Sequence, residues 1–345
     1  MKKKYLTIDG SKGEGGGQIL RTSLSLSMCL GKSIRIENIR AGRKKTGLLR
    51  QHLTCVRAAA EICDADVKGD ELGSSCIEFS PRKITGGKYR FAIGTAGSTS
   101  LVFQTILPAL LKAEKQSSVS FEGGTHNMQA PSYEFLTHSF LQALEGMNLQ
   151  VDCELLRYGF YPNGGGQWVA NIQPSNEVNR LKLLDRGDLV ARSATTFISK
   201  IPKHVSQREL KKVAQKLNWS SDELFENEVE SFGPGNLISL KLAFENTVEL
   251  FDEVAQRGLT AERVAGKAIK NLKRYFDSKA VVGEHLADQL LLPLALNAGG
   301  SFITHSMSEH VKTNINIINQ FIDNAISTTE IDNDTVKIVV IESNL

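Results

Sequence analysis

Five of the ten residues from 9 to 18 are glycine (Gly10, Gly13, Gly15, Gly16 and Gly17), and an apolar helical pattern over 19–30 follows at once. Glycine at that density lets the backbone take conformations other residues avoid, so the segment predicts a tight strand-to-helix turn. The arrangement comes back. Gly94-Thr95-Ala96-Gly97-Ser98-Thr99 precedes a helical pattern over 101–112, Gly123-Gly124 precedes one over 133–144, and Gly164-Gly165-Gly166 follows a strand-like run. Self-similarity of this kind predicts one β-and-α unit used several times. Strand-like runs at 33–39, 76–79, 89–93, 118–121 and 336–341 alternate with helical patterns that also cover 48–62, 261–276 and 311–322. Strands and helices mixed throughout indicate an α/β (α+β) protein.

One stretch breaks the pattern. From about 185 to 278 the chain is richer in charge and has no glycine triplet. Ser206-Gln207-Arg208-Glu209 fits a capping box opening a charged helix that runs to about 217. Phe232-Gly233-Pro234-Gly235 predicts a turn before a strand over 237–244. The expected division is a large unit of 1–184 and 280–345 with a small inserted α/β unit of 185–279.

Length and composition exclude several classes. The chain has 345 residues, 41% hydrophobic and 23% charged, which is ordinary for a folded soluble protein. No apolar run approaches the roughly 20 residues needed to cross a bilayer, and the basic start Met1-Lys2-Lys3-Lys4 lacks the apolar core of a secretory signal. Cys29, Cys55, Cys63, Cys76 and Cys153 are odd in number with no CxxC spacing, so the expected setting is a reducing cytoplasm. A net charge of +3, from 41 Lys+Arg against 38 Asp+Glu, says nothing by itself about a nucleic-acid partner.

Local clusters say more. The glycine loop could bring backbone N–H groups to an anion at a helix start, with Glu14 holding a divalent cation beside phosphates; it also fits a plain turn. It matches neither a Walker A loop nor a dinucleotide GxGxxG. The densest basic run is Arg40, Arg43, Lys44, Lys45 and Arg50, then Gln51-His52 and Arg57, on a helix whose Leu49, Leu53, Val56 and Ala60 form a buried face. Such a run suits phosphodiester contacts, or is a solvated surface. In Ser308-Glu309-His310, Ser308 predicts an N-cap and puts His310 in the first helical turn, where the positive helix end favours a neutral ring. His126, His138, His285 and His305 are competitors. His285-Leu286-Ala287-Asp288-Gln289 opens an apolar helix with polar groups that could read a nucleotide or merely cap.

Taken together, Glu14-Gly-Gly-Gly-Gln18-Ile-Leu-Arg21, Arg40-Ala-Gly-Arg43 with Gly47-Leu48 and Gln51-His52, Gly159-Phe-Tyr-Pro162-Asn-Gly164-Gly-Gly166, His285-Leu-Ala-Asp-Gln289 and His310-x-x-Thr-Asn-Ile315 closely resemble the RNA 3'-terminal phosphate cyclase family, in its order and over essentially the whole chain. Thr46, Tyr158 and Trp168 depart from its usual pattern. The resemblance implies repeated βαβαββ units like the C-terminal domain of a bacterial translation initiation factor, with an insert of thioredoxin-like topology that lacks CxxC. It implies a catalytic member that uses ATP to convert an RNA 3'-terminal phosphate into a 2',3'-cyclic phosphodiester. His310 would become bonded to AMP. Gln104, Pro131, His285, Leu286, Ala287, Asp288 and Gln289 would surround ATP, and Glu14 would hold Mg²⁺ or Mn²⁺. Arg21, Arg40, Arg43, Gln51 and His52 would hold the RNA end. The expected partner is RNA with a 3'-terminal phosphate, with no membrane association; a homodimer is compatible with this.

Overall fold

The computed structural model describes residues 4–175 and 177–342. Its first unit runs β1 (Leu6–Asp9), α1 (Gln18–Leu30), β2 (Ile34–Glu37), α2 (Arg50–Cys63), β3 (Asp66–Lys68) and β4 (Ile77–Ser80). The second has β5 (Lys88–Ala92), α3 (Thr99–Leu111), β6 (Ser117–Gly123), α4 (Tyr133–Phe135), a π-helical turn (Leu136–Phe140), α5 (Leu141–Glu145), β7 (Gln150–Arg157) and β8 (Gly166–Gln173). The third starts with β9 (Leu181–Leu183). Before it continues, the chain makes β10 (Leu189–Ser199), α6 (His204–Leu217), β11 (Leu224–Glu228), β12 (Gly235–Phe244), β13 (Val248–Val254) and α7 (Ala261–Phe276). It then resumes with α8 (Glu284–Ala295), β14 (Gly300–His305), α9 (Glu309–Phe321), β15 (Ile326–Glu330) and β16 (Thr335–Val340).

Three sheets share one plan. Their orders are β1-β2-β4-β3, β5-β6-β8-β7 and β9-β14-β16-β15. In each, the first two strands are parallel and the rest antiparallel. A parallel pair needs a crossover, and α1, α3 and α8 are those crossovers in their units. The recurring glycine turns thus mark a βαβαββ unit made three times. The fourth sheet, β11-β10-β12-β13, carries α6 and α7.

The cores follow the same division. The larger hydrophobic cluster takes residues from all three units, including Ile19, Leu20, Phe103, Phe121, Trp168, Leu286, Ala287 and Ile318. A second cluster, with Ala194, Val213, Leu240, Ala265 and Tyr275, draws its buried members only from 194–275. Val248 and Leu250 at the start of β13 pack into the larger core.

Two local expectations fail. The pattern over 133–144 is not one α-helix, because the turn Leu136–Phe140 has π geometry. The capping box at Ser206 does not form: α6 begins at His204, and Ser206 and Glu209 are buried in its interior. Ser206 Oγ lies within hydrogen-bond reach of the Lys203 carbonyl and the Glu226 carboxylate, while Glu209 accepts from Asn236 Nδ2 at 2.7 Å. Residues that look like caps in sequence serve as interior hydrogen-bond partners there.

Candidate active site

The N-cap of α1 is Gly17, which offers no side-chain cap. The glycines before it are dictated by what crowds the turn. A Cβ on Gly13, whose φ is +59°, would meet Thr313 Oγ1 of α9 at 2.2 Å. One on Gly17 would meet His52 Nε2 at 2.4 Å and Arg21 Nη1 at 2.8 Å. The loop is thereby pressed against α9 on one side and against α2 on the other.

Glu14 is fixed within this loop. Its N–H donates to Thr313 Oγ1 at 3.1 Å, its Oε1 accepts from the Gln18 N–H at 3.1 Å, and its Oε2 pairs with Arg43 at 2.5 Å. Burial alone would push this carboxyl up, but the Gln18 N–H, Arg43 and His310 outweigh it and hold the group below the usual glutamate range. A divalent ion at Glu14 would find one protein carboxylate. Among the described residues no group of three or more His, Cys, Asp or Glu is arranged as a metal cage. That donor set suits Mg²⁺ or Mn²⁺ carried largely by substrate phosphates and water.

The basic residues divide by role. Arg40, in left-handed backbone (φ +56°) and nearly buried, donates to the carbonyls of Lys45 (2.6 Å) and Gly47 (3.1 Å), so it shapes the loop that carries Arg43. Arg43 is exposed and reaches Glu14. Arg21 is half-buried at the start of α1. His52 is buried, and burial, then Arg21 and Arg40, push its pKa down to about 3; the ring is neutral and its Nδ1 accepts the Leu49 N–H at 3.4 Å. Gln51 Oε1 accepts the Ser98 N–H at 2.7 Å, which ties α2 to the start of α3.

His310 lies in the first turn of α9, whose N-cap Ser308 accepts the Val311 N–H at 3.3 Å, as the sequence predicts. The ring is exposed, and its Nδ1 is 2.7 Å from Gln18 Oε1. Gln18 Nε2 in turn donates to Asp288 Oδ1 at 2.6 Å. Burial raises the Asp288 carboxyl above its ordinary range, against the His310 ring, Gln18, Arg21 and Asn314. Asn314 Nδ2 donates to Asp288 Oδ1 at 2.7 Å, and Thr22 Oγ donates to Asn314 at 2.6 Å.

Beside this chain an open cleft is bordered by Gln18, Arg21, Gln104, Asp288, Gln289 and Asn314. Leu107, Pro108 and Phe140 give it an apolar wall. Gln104 and Gln289 are hydrogen-bonded across it. Of the other residues singled out in sequence, His285 is exposed on α8 and the Pro131 carbonyl accepts from Ser100 Oγ at 2.7 Å; neither hydrogen-bonds to the groups named above. Leu286 and Ala287, expected beside the nucleotide, are instead fully buried in the core, backbone included, because they form the inward face of α8. His126 is buried against Thr125 and Glu134, and His305 packs on Tyr275, both outside the cleft lining. Gln18, Thr22, Thr313 and Asn314 belong to the site without having been assigned a place in it. The available signal was the Thr-Asn pair of the His310 motif and the glutamine closing the glycine loop.

The matching family model is described as RNA 3'-terminal phosphate cyclase and covers residues 12–328. The chain belongs to the RNA 3'-terminal phosphate cyclase family. Among its relatives, the RNA 3'-terminal phosphate cyclase of Ectopseudomonas mendocina is 49% identical over 331 residues, 96% of each chain. That of Pseudomonas fluorescens is 50% identical over 323 residues, 93% of this chain and 94% of its own. That of Koribacter versatilis is 46% identical over 329 residues, 95% and 93% of the two chains. Among solved structures, the enolpyruvyl transferase NikO from Streptomyces tendae aligns with 97% of this chain and 48% of its own, at 8% identity and a TM-score of 0.35, which is too low to bear on the fold. Among the described residues no helix is long and apolar enough to cross a membrane.

Proposed function

We propose that the protein uses ATP to convert an RNA 3'-terminal phosphate into a 2',3'-cyclic phosphodiester, with His310 as nucleophile. The observation that carries this reading is the exposed His310 ring, hydrogen-bonded at 2.7 Å to Gln18, which closes the glycine loop and borders the cleft. A ring nitrogen lone pair attacks the α-phosphorus of ATP, an N–P bond forms, and the P–O bond to pyrophosphate breaks. A phosphate oxygen of the RNA end then attacks the AMP phosphorus, and the imidazole leaves. The neighbouring 2'-oxygen attacks the activated terminal phosphorus, gives up its proton to a base, and AMP departs. The steps are divided in this way because a phosphate monoester has no good leaving group, whereas a phosphoanhydride expels AMP.

In this reading Gln104, Gln289 and Asp288, with Pro131 and His285, form the nucleotide site. Arg21 and Arg43 receive the RNA phosphate, and Arginine's planar fork matches two phosphate oxygens. Arg40, Gln51 and His52 support that site from behind. Mg²⁺ or Mn²⁺ held by Glu14 and the phosphates would offset their charge. Residues 185–279 form the inserted unit.

Incubation with ATP labelled at the α-phosphorus tests the proposal. The expected product is protein-bound label that is acid-labile and alkali-stable. His310→Ala should lower its formation by a factor on the order of 10⁴ or more with an unchanged circular dichroism spectrum. Full labelling of that variant assigns the nucleophile elsewhere, and an unlabelled, folded wild-type protein contradicts the function.

A further inference from the structure

A histidine that attacks through one ring nitrogen must carry its proton on the other. What decides between them here lies outside the ring, in a chain of side chains whose donor directions can be worked out from one end.

The chain starts at Asn314. Its Nδ2 is 3.2 Å from the backbone carbonyl of Asp288 and 2.7 Å from Asp288 Oδ1. A carbonyl oxygen only accepts, so the NH₂ end of Asn314 must point to Asp288. Its oxygen end then faces Thr22, whose hydroxyl donates at 2.6 Å. Asp288 Oδ1 therefore acts as acceptor. Gln18 lies 2.6 Å from that same oxygen and so presents its own NH₂ to it. The oxygen of Gln18 is left facing His310 Nδ1 at 2.7 Å. That oxygen also only accepts, so Nδ1 carries the hydrogen. In a neutral ring, Nε2 then keeps its lone pair. Protonating Asp288 on Oδ2 would not reverse the order, because Oδ1 would remain an acceptor.

The rest of the chain is built to hold still. Thr22, Gln18 and Asn314 are 4–6% exposed, and Asn314 lies one turn beyond His310 on α9. Gln18 is the first residue of α1, and its backbone N–H is held by Glu14.

We propose that Gln18 is a positioning residue: anchored by Asp288 and Asn314, it locks His310 in the Nδ1–H tautomer and presents Nε2 as the nucleophile. The tautomer follows from the hydrogen bonds alone, and only its use rests on the function proposed above. When Nε2 bonds to phosphorus and pyrophosphate leaves, the ring gains positive charge with Nδ1–H still directed at the Gln18 carbonyl. No proton has to move during the step.

The test is long-range ¹H–¹⁵N correlation on full-length protein with ¹⁵N-labelled histidine, at pH 8 and without ATP, with the His310 signals assigned by their loss in His310→Asn. The wild type should show a single tautomer, Nδ1 protonated and Nε2 bare. Gln18→Met keeps the length of the side chain and removes the acceptor; it should show both tautomers. Self-adenylylation of that variant should slow about 10- to 100-fold in kcat with the KM for ATP little changed. A protonated Nε2 in the wild type overturns the proposal whatever the variant does. So does a Gln18→Met protein that keeps one Nδ1–H tautomer and the full rate. The expected tautomers without any adenylylation would leave the positioning intact and refute the function instead.

Discussion

The β1–α1 and β5–α3 junctions occupy the same place in successive units, and their helix starts are finished in opposite ways. At α3, Ser98 caps the helix with its own hydroxyl, its N–H is taken by Gln51, and the Thr99 N–H by the Gly124 carbonyl. That end is closed by protein groups. At α1, Gly17 offers no side-chain cap, and Arg21, Arg43, His52 and His310 gather around the turn instead. A third version stands at α8, where the Gly283 N–H is taken by Glu249 of the fourth sheet. The same turn is thus finished by a serine hydroxyl at α3, by the Glu249 carboxyl at α8, and at α1 by the Glu14 carboxylate on the Gln18 N–H. Only at α1 do Arg21, Arg43, His52 and His310 also crowd the turn.

The comparison makes graded predictions. Gly17→Ala pushes a methyl into His52 and Arg21, and a displacement of about 1 Å at such a site costs on the order of 10²-fold in rate. In the closed junction, Gly97→Ala, one residue before the Ser98 cap, meets Ile93 and Gln51 only at 3.0–3.1 Å and should lower stability by about 1 kcal/mol with self-adenylylation nearly intact. Similar rate losses in both variants would erase the distinction. Next, Arg43→Ala should weaken cyclisation by about 2 kcal/mol, roughly 30-fold, while sparing self-adenylylation. Equal losses in the two steps would move Arg43 to the nucleotide side.

The third junction gives a pH effect. Burial pushes the Glu249 carboxyl up to about 8, against the Gly283 N–H and Arg186. The unfolded chain releases this proton near pH 4.3, the folded one only near 8, so stability from this group is present at low pH and falls as pH rises across that window. Glu249→Gln keeps an acceptor for Gly283. It should melt like wild type at pH 4 and at a higher temperature than wild type at pH 9; equal melting at both values would mean the carboxyl is not held protonated. Smallest of all, Ser98→Ala should cost about 1 kcal/mol in thermal unfolding, the usual loss for an N-cap, with no change in labelling by ATP.

The sequence revealed the parts of this architecture with local signatures. Glycine clusters before apolar helical patterns gave the repeated unit, and Ser308 gave the start of α9. What it hid depends on distance or context. Gln18 meets Asp288 across 270 residues and His310 across 292, and no spacing rule reaches that far. β9 has only three residues and takes its place from pairing with β14, far along the chain. Ser206 and Glu209 have capping-box spacing, but burial gave them other partners. Arg40 looks like a phosphate ligand among basic neighbours, and no local pattern shows that its Nη1 also donates to the Lys45 and Gly47 carbonyls.

The most direct test of the whole account is intact-protein and peptide mass spectrometry after incubation with ATP and Mg²⁺. The account predicts one AMP per chain, on the peptide holding His310 and bonded through Nε2, discharged when RNA with a 3'-terminal phosphate is added. AMP on a different residue, or none on fully folded protein, would contradict it.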